Sequence, residues 1–178
     1  MLKILLIVAG CLGVAIAALL VYASTRPDTF RVARSTTIKA PPERIFALIN
    51  DYRQWALWSP WEKKDPQMSR TFSAVTAGRG ATYAWEGNSN VGAGNMAIVD
   101  STPPSSVAIK LNMLKPIAAS NDVTFTLAPQ GDGTNVTWAM QGGMPFFAKV
   151  IHVFFDMDKM VGGDMEAGLA AMKAAAEK

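Results

Sequence analysis

The sequence predicts an α+β fold: an antiparallel sheet of about seven strands with helices on one side, preceded by one transmembrane helix. Three observations predict it. Ile4 to Thr25 holds 22 residues without a charge, about 33 Å as a helix and so a match to a bilayer core of roughly 30 Å. Short stretches between Phe30 and Met140 alternate apolar and polar residues and are separated by turn residues, as strands do. From Pro145 to about Glu177 apolar residues recur at helical spacing. The order strand, short helix, six strands, long helix belongs to sheets with helices packed on one face. The chain divides into residues 1–25, a linker at 26–29 and one domain over 30–177, large enough to bury a core.

Lys3 and Arg26 bracket the first segment, and Tyr22 suits a membrane interface. A single-pass anchor fits it. So does a signal peptide, because Val21-Tyr22-Ala23 resembles a small-residue cleavage site. Val8-Ala9-Gly10-Cys11 resembles a lipoprotein box, but the stretch after Cys11 stays apolar where it should turn polar. Arg26, Arg31, Arg34 and Lys39 argue for a cytoplasmic domain. The very short N-terminal flank argues for export, which is the side expected. The same basic residues suit anionic head groups or a solvated first strand.

Phe30 to Ile38 reads as the first strand. Pro41-Pro42-Glu43-Arg44 then opens a helix, with prolines in its first turn and Glu43 at its positive end. Ile45, Phe46, Leu48 and Ile49 supply its buried face. Trp55, Trp58 and Trp61 follow within seven residues. Indoles are costly to expose and need a partner for the N–H when buried, so this cluster must cover something apolar. Pro60 disfavours helical geometry at Ser59, so the three indoles need not share one face. Strands follow at Met68–Ala74, Ala81–Glu86, Gly94–Asp100, Val107–Leu114 and Val123–Leu127, and the last carries Val136, Trp138 and Met140. Asp132-Gly133 marks the final hairpin. The C-terminal stretch is apolar on nearly two faces in its first half, which predicts burial on more than one side. Gly162-Gly163 predicts a kink or a close approach.

Composition excludes several functions. The chain has one cysteine and one histidine, so an internal disulfide and a Cys/His zinc site are ruled out. Lys3 is the only charged residue before Arg26, which leaves the domain at about +2; a nucleic-acid surface would be far more basic. No nucleophile elbow, phosphate loop or dinucleotide fingerprint occurs.

Ile38-Lys-Ala-Pro-Pro-Glu-Arg-Ile-Phe46, Ile49-Asn-Asp-Tyr52, Trp58-Ser-Pro-Trp61 and Asp65-Pro66 resemble the opening of the START-like (SRPBCC) superfamily. The group most similar is that of polyketide cyclases/dehydrases and lipid-transport proteins. Gly80-Ala-Thr-Tyr-Ala-Trp-Glu-Gly-Asn88, Lys115-Pro116, Gly133-Thr-Asn-Val-Thr-Trp-Ala-Met140 and Met157-Asp-Lys-Met-Val-Gly162 continue the resemblance. It covers about residues 30–176. It implies a helix-grip fold, in which a curved antiparallel sheet wraps a long C-terminal helix over a mostly apolar cavity. It implies hydrophobic ligands such as lipids, sterols or polyketides, with cyclisation or dehydration in a minority of members. The fold alone does not transfer an activity.

The inward rows and the C-terminal helix nominate Trp58, Tyr83, Trp85, Met96, Met113, Trp138, Met140, Phe147, Ile151 and Phe155 as cavity lining. Methionines adapt to varied ligand shapes. The same residues also fit plain core packing. No catalytic residue is nominated: His152 stands alone among apolar neighbours, and alternation with Trp85 turns Glu86 outward. Asn112 and Asn121 suit ligand contacts or turns equally. The expected function is a membrane-anchored binding protein for a hydrophobic small molecule or lipid, without metal or cofactor. A cyclase/dehydratase-type enzyme and a ligand-free partner domain are the alternatives.

Overall fold

The computed structural model describes residues 1–154 and 156–178. The first helix, α1 (Leu2–Ser24), is long and apolar enough to cross a membrane, and of its residues only Ala23 is buried. After the linker come β1 (Thr29–Ile38), α2 (Pro42–Asn50), a 3-10 turn (Tyr52–Leu57) and α3 (Pro60–Lys64). Six strands follow: β2 (Ser69–Phe72), β3 (Thr82–Glu86), β4 (Ala93–Thr102), β5 (Ser106–Lys115), β6 (Ala119–Gln130) and β7 (Gly133–Gly143). The chain ends in α4 (Phe146–His152) and α5 (Met157–Ala176).

All seven strands form one antiparallel sheet in the order β1-β7-β6-β5-β4-β3-β2. A register shift between Ile98 and Asp100 adds a bulge of the kind that bends a strand. Large side chains need small partners across such a face. The Trp85 ring lies over Gly94, where a Cβ would come within 2.6 Å of it.

Pairing sorts the concave face into rows from a near end, where α1 joins β1, to a far end. The first row is Met113, Gly94, Trp85 and Arg70. The second is Phe30, Gly142, Asn121, Leu111, Met96, Tyr83 and Phe72. Val32, Met140, Val123, Ile109 and Ile98 form the third, and Arg34, Trp138, Phe125 and Val107 the fourth.

Helix α5 crosses only the far part of this face. Asp158 and Glu166 bind the Arg34 guanidinium at 2.8 and 2.6 Å. Further on, Lys173 donates to the Thr37 carbonyl, and Arg44 donates to that of Ala176. The hydrogen bonds of Arg34 hold its own pKa above the ordinary value and that of Asp158 below it.

Helix α4 ends at His152 and α5 starts at Met157, upstream of the Gly162-Gly163 pair that lies inside α5. Asp156 explains the break, because its carboxylate accepts from the Asp158 and Lys159 N–H groups and starts a new helix. Gly162 serves close approach: a Cβ there would run into the Arg34 guanidinium.

The expected burial of the stretch on several sides is corrected at α4. Phe146, Phe147 and Phe154 are 48, 65 and 68 % exposed. Helix α4 packs on α1, and these side chains project away from the domain core. Its buried member is Lys149, whose ammonium lies 2.6 Å from the exposed Asp28 carboxylate and ties α4 to the linker.

Candidate functional site

The far half of the concave face is sealed by aromatic side chains. Trp58 meets Trp138 edge-on at 5.5 Å and Phe125 at 5.9 Å, and Trp55 lies 4.7 Å from Trp58. Trp61, only partly buried, meets Trp138 at 5.8 Å. Two indoles survive burial because α2 ends beside them. Trp55 donates to the Ile49 carbonyl at 2.9 Å and Trp58 to that of Leu48 at 2.8 Å, carbonyls at the helix end that have no intrahelical donor. Pro60 acts as expected: Ser59 is extended and Trp61 belongs to the next helix.

A second aromatic ladder runs toward the near end and the β2 edge. Tyr83 stacks on Tyr52 at 5.7 Å and on Trp85 at 5.9 Å, with Phe72 5.1 Å away. Its hydroxyl donates to Glu62 at 2.9 Å. The other Glu62 oxygen takes Nε and Nη2 of Arg70, each at 2.7 Å. One carboxylate of α3 thus joins a sheet phenol and a sheet guanidinium.

Two buried polar atoms among the described residues have no partner, the Tyr52 hydroxyl and the Trp138 indole N–H. Buried polar groups are nearly always satisfied, so such orphans call for an explanation. Burial pushes the Tyr52 phenol well above its ordinary pKa. Tyr83 rises too, by burial first and then by the charge and hydrogen bond of Glu62. Both folded pKa values exceed the unfolded value near 10, so the native state holds more protons once pH passes that value. Stability is expected to be insensitive to these groups below pH about 10 and to fall as pH rises above it. Denaturant midpoints across that range check this; Tyr52→Phe combined with Tyr83→Phe should flatten the decline.

Of the nominated residues, Trp58, Tyr83, Met96, Trp138 and Met140 are buried, and the strand members share the concave face. Trp85 and Met113 are half-buried in the row at the near end. Ile151 is half-buried on α4, and Phe147 is largely exposed there. Phe155 lies outside the described residues. Glu86 faces outward, paired with Lys115 at 2.7 Å, which holds its pKa down. Asn121 is buried on the concave face, whereas Asn112 bonds Asn95 and Ser120 on the other. His152 is half-buried, and burial lowers its pKa; among the described residues its side chain has no hydrogen-bond partner. No group of three metal-ligating side chains occurs among the described residues.

Sequence reasoning missed Tyr52, Glu62 and Arg70. Arg70 was accessible, since it alternates with Phe72 on an edge strand and so points inward. Glu62 was not: three residues after Ser59 it reads as an ordinary first-turn acid.

Solved structures share this fold at low identity. A structural-genomics target from Chromobacterium violaceum is 18 % identical, with a TM-score of 0.60 over 86 % of this chain and 99 % of that one. The Aha1 dimer protein from Colwellia psychrerythraea is 17 % identical, with a TM-score of 0.57 over 83 % and 96 %. The di-domain ARO/CYC StfQ from the steffimycin biosynthetic pathway is 11 % identical, with a TM-score of 0.62 over 84 % of this chain and 51 % of that one. No curated protein matches the sequence. The family model described as polyketide cyclase / dehydrase and lipid transport matches residues 29–177. That span holds every strand of the sheet and the helices packed on it, and the chain belongs to the polyketide cyclase / dehydrase and lipid transport family.

Proposed function

We propose that this protein is a membrane-anchored binding protein for a hydrophobic small molecule or lipid, with Leu2–Ser24 as its anchor. One observation carries the reading: burial on the concave face is graded. Trp138, Phe125 and Val107 are at most 3 % exposed, whereas Met113, Trp85, Leu111 and Phe30, in the two rows nearest α1, are only half-buried around the buried Tyr83, Met96 and Asn121. An apolar face left half-covered at one end suits a ligand that completes it. Met96, Met113 and Met140 give that region adaptable walls. The orphan Tyr52 hydroxyl, beside Tyr83, would offer a bound molecule a polar contact.

The test uses residues 27–178, because the core is built without α1 apart from Ala23. The purified domain is extracted with organic solvent and analysed by mass spectrometry. A reproducible hydrophobic compound near one equivalent is expected. An empty extract from folded protein overturns the reading in favour of a filled partner domain. Tyr52→Phe removes a hydroxyl that has no partner, so it should stabilise the empty domain by about 1 kcal/mol. It should also weaken retention of the extracted compound by about tenfold, the equivalent of one hydrogen bond.

A second reading, a cyclase/dehydratase-type enzyme, draws on the meeting of Glu62, Arg70 and Tyr83 at the gap's edge. Incubating the extracted compound with the domain tests it. Loss of water from the compound, or a shifted chromatographic retention at unchanged mass as ring closure alone would give, supports catalysis when Glu62→Gln abolishes it; a compound unchanged in mass and retention removes it.

A further inference from the structure

The near end of the sheet carries a second feature, separate from the concave face. Two segments distant in sequence expose large apolar side chains there. Leu114 and Ile117 flank the β5–β6 turn, each 58 % exposed. Phe146 and Phe147 open α4, and Phe154 follows it. Strand directions bring these segments to one end: β5 finishes at Lys115, β6 starts at Ala119, and β7 finishes at Gly143 just before α4. It is also the end where β1 starts, with four residues between it and α1. Helix α4 packs directly on α1, and two contacts fix it to the linker: the Lys149–Asp28 ion pair, and the Met144 N–H on the Asp28 carbonyl at 2.7 Å. Exposed apolar clusters on soluble faces mark binding sites. This one is continuous with the helix read above as the anchor.

We propose that this rim, Leu114, Ile117, Phe146, Phe147 and Phe154, is seated in the interfacial layer of the bilayer that α1 enters, so that the half-covered end of the concave face opens onto lipid. Aromatic and aliphatic side chains on a short amphipathic segment bury about 5–10 Å into that layer. An occupant of other chemistry is disfavoured by position: a helix fastened at both Asp28 contacts stands within a few residues of the bilayer, where water-facing phenylalanines would be costly.

The proposal rests on the anchor reading, and the experiment separates the two. The full chain is reconstituted in phosphatidylcholine nanodiscs with an environment-sensitive fluorophore on single cysteines. Native Cys11 reports on the anchor. In a Cys11→Ser background, Ile117→Cys, Phe147→Cys and Phe154→Cys report on the rim, and Val75→Cys, exposed near the far end, is the control. Spin-labelled lipids with the quencher near the head group should reduce rim emission about twofold and leave position 75 unchanged, as interfacial burial requires. A deep quencher should act on Cys11. Quenching at Cys11 with rim positions behaving like position 75 overturns the proposal and leaves the anchor standing. Absence of quenching at Cys11 overturns both. Circular dichroism on each labelled variant confirms that the fold is intact, and the three rim sites must agree.

Discussion

Replacing Trp58 with alanine is expected to destabilise the domain by about 3–5 kcal/mol, the usual cost of emptying a fully buried large aromatic site. The indole is 0 % exposed and meets Trp55, Phe125 and Trp138. It joins the turn after α2 to strands β6 and β7, so its loss leaves a void that three elements line and none can fill. A shift in melting temperature of about 10 °C should accompany it. Trp58→Phe separates the two contributions. It keeps most of the ring contact but leaves the Leu48 carbonyl without its donor, and should cost about 1–2 kcal/mol beyond the small volume loss. Equilibrium denaturation of residues 27–178 measures both. A Trp58→Ala variant within 1 kcal/mol of the parent would mean that the far end of the concave face is not tightly packed.

Glu62→Leu is expected to cost about 2–3 kcal/mol. The Glu62 side chain is 10 % exposed and Arg70 25 %, so the charge left behind is partly hydrated and the penalty lies below that of a fully buried pair. Two groups lose a partner at once, the Arg70 guanidinium and the Tyr83 hydroxyl. Glu62→Gln should cost roughly half as much, since it retains an acceptor for one of them. If the cost arises from the stranded guanidinium, Arg70→Met should remove most of it, and a double-mutant cycle reads this coupling directly. Additive effects of the two substitutions would sink the explanation.

The sheet and its neighbours were legible in the sequence because their periods are simple. Val136, Trp138 and Met140 can share a face only on a strand, and Ile45, Phe46, Leu48 and Ile49 only on a helix. The break at Asp156 was less visible. Its carboxylate competes with a continuous apolar row, and an N-cap is decided by local hydrogen bonds that hydrophobic spacing does not report. The burial of α4 was misjudged for a related reason. An apolar face states that water is avoided but does not name what covers it. The candidate site divides the same way. Its aromatic wall follows from strand alternation, but the meeting of Glu62, Arg70 and Tyr83 depends on where α3 docks, and α3 is only five residues long.

The graded burial of the concave face bears on how this protein can change over evolutionary time. A substitution at Phe125 or Trp138 acts on the part that holds the fold together and is charged the full penalty of a packed interior. A substitution at Met113, Leu111 or Trp85 acts where packing is already incomplete, so its cost to the folded state is smaller. In the proposed binding role, ligand preference can therefore drift at one end of the sheet while the other holds stability nearly constant.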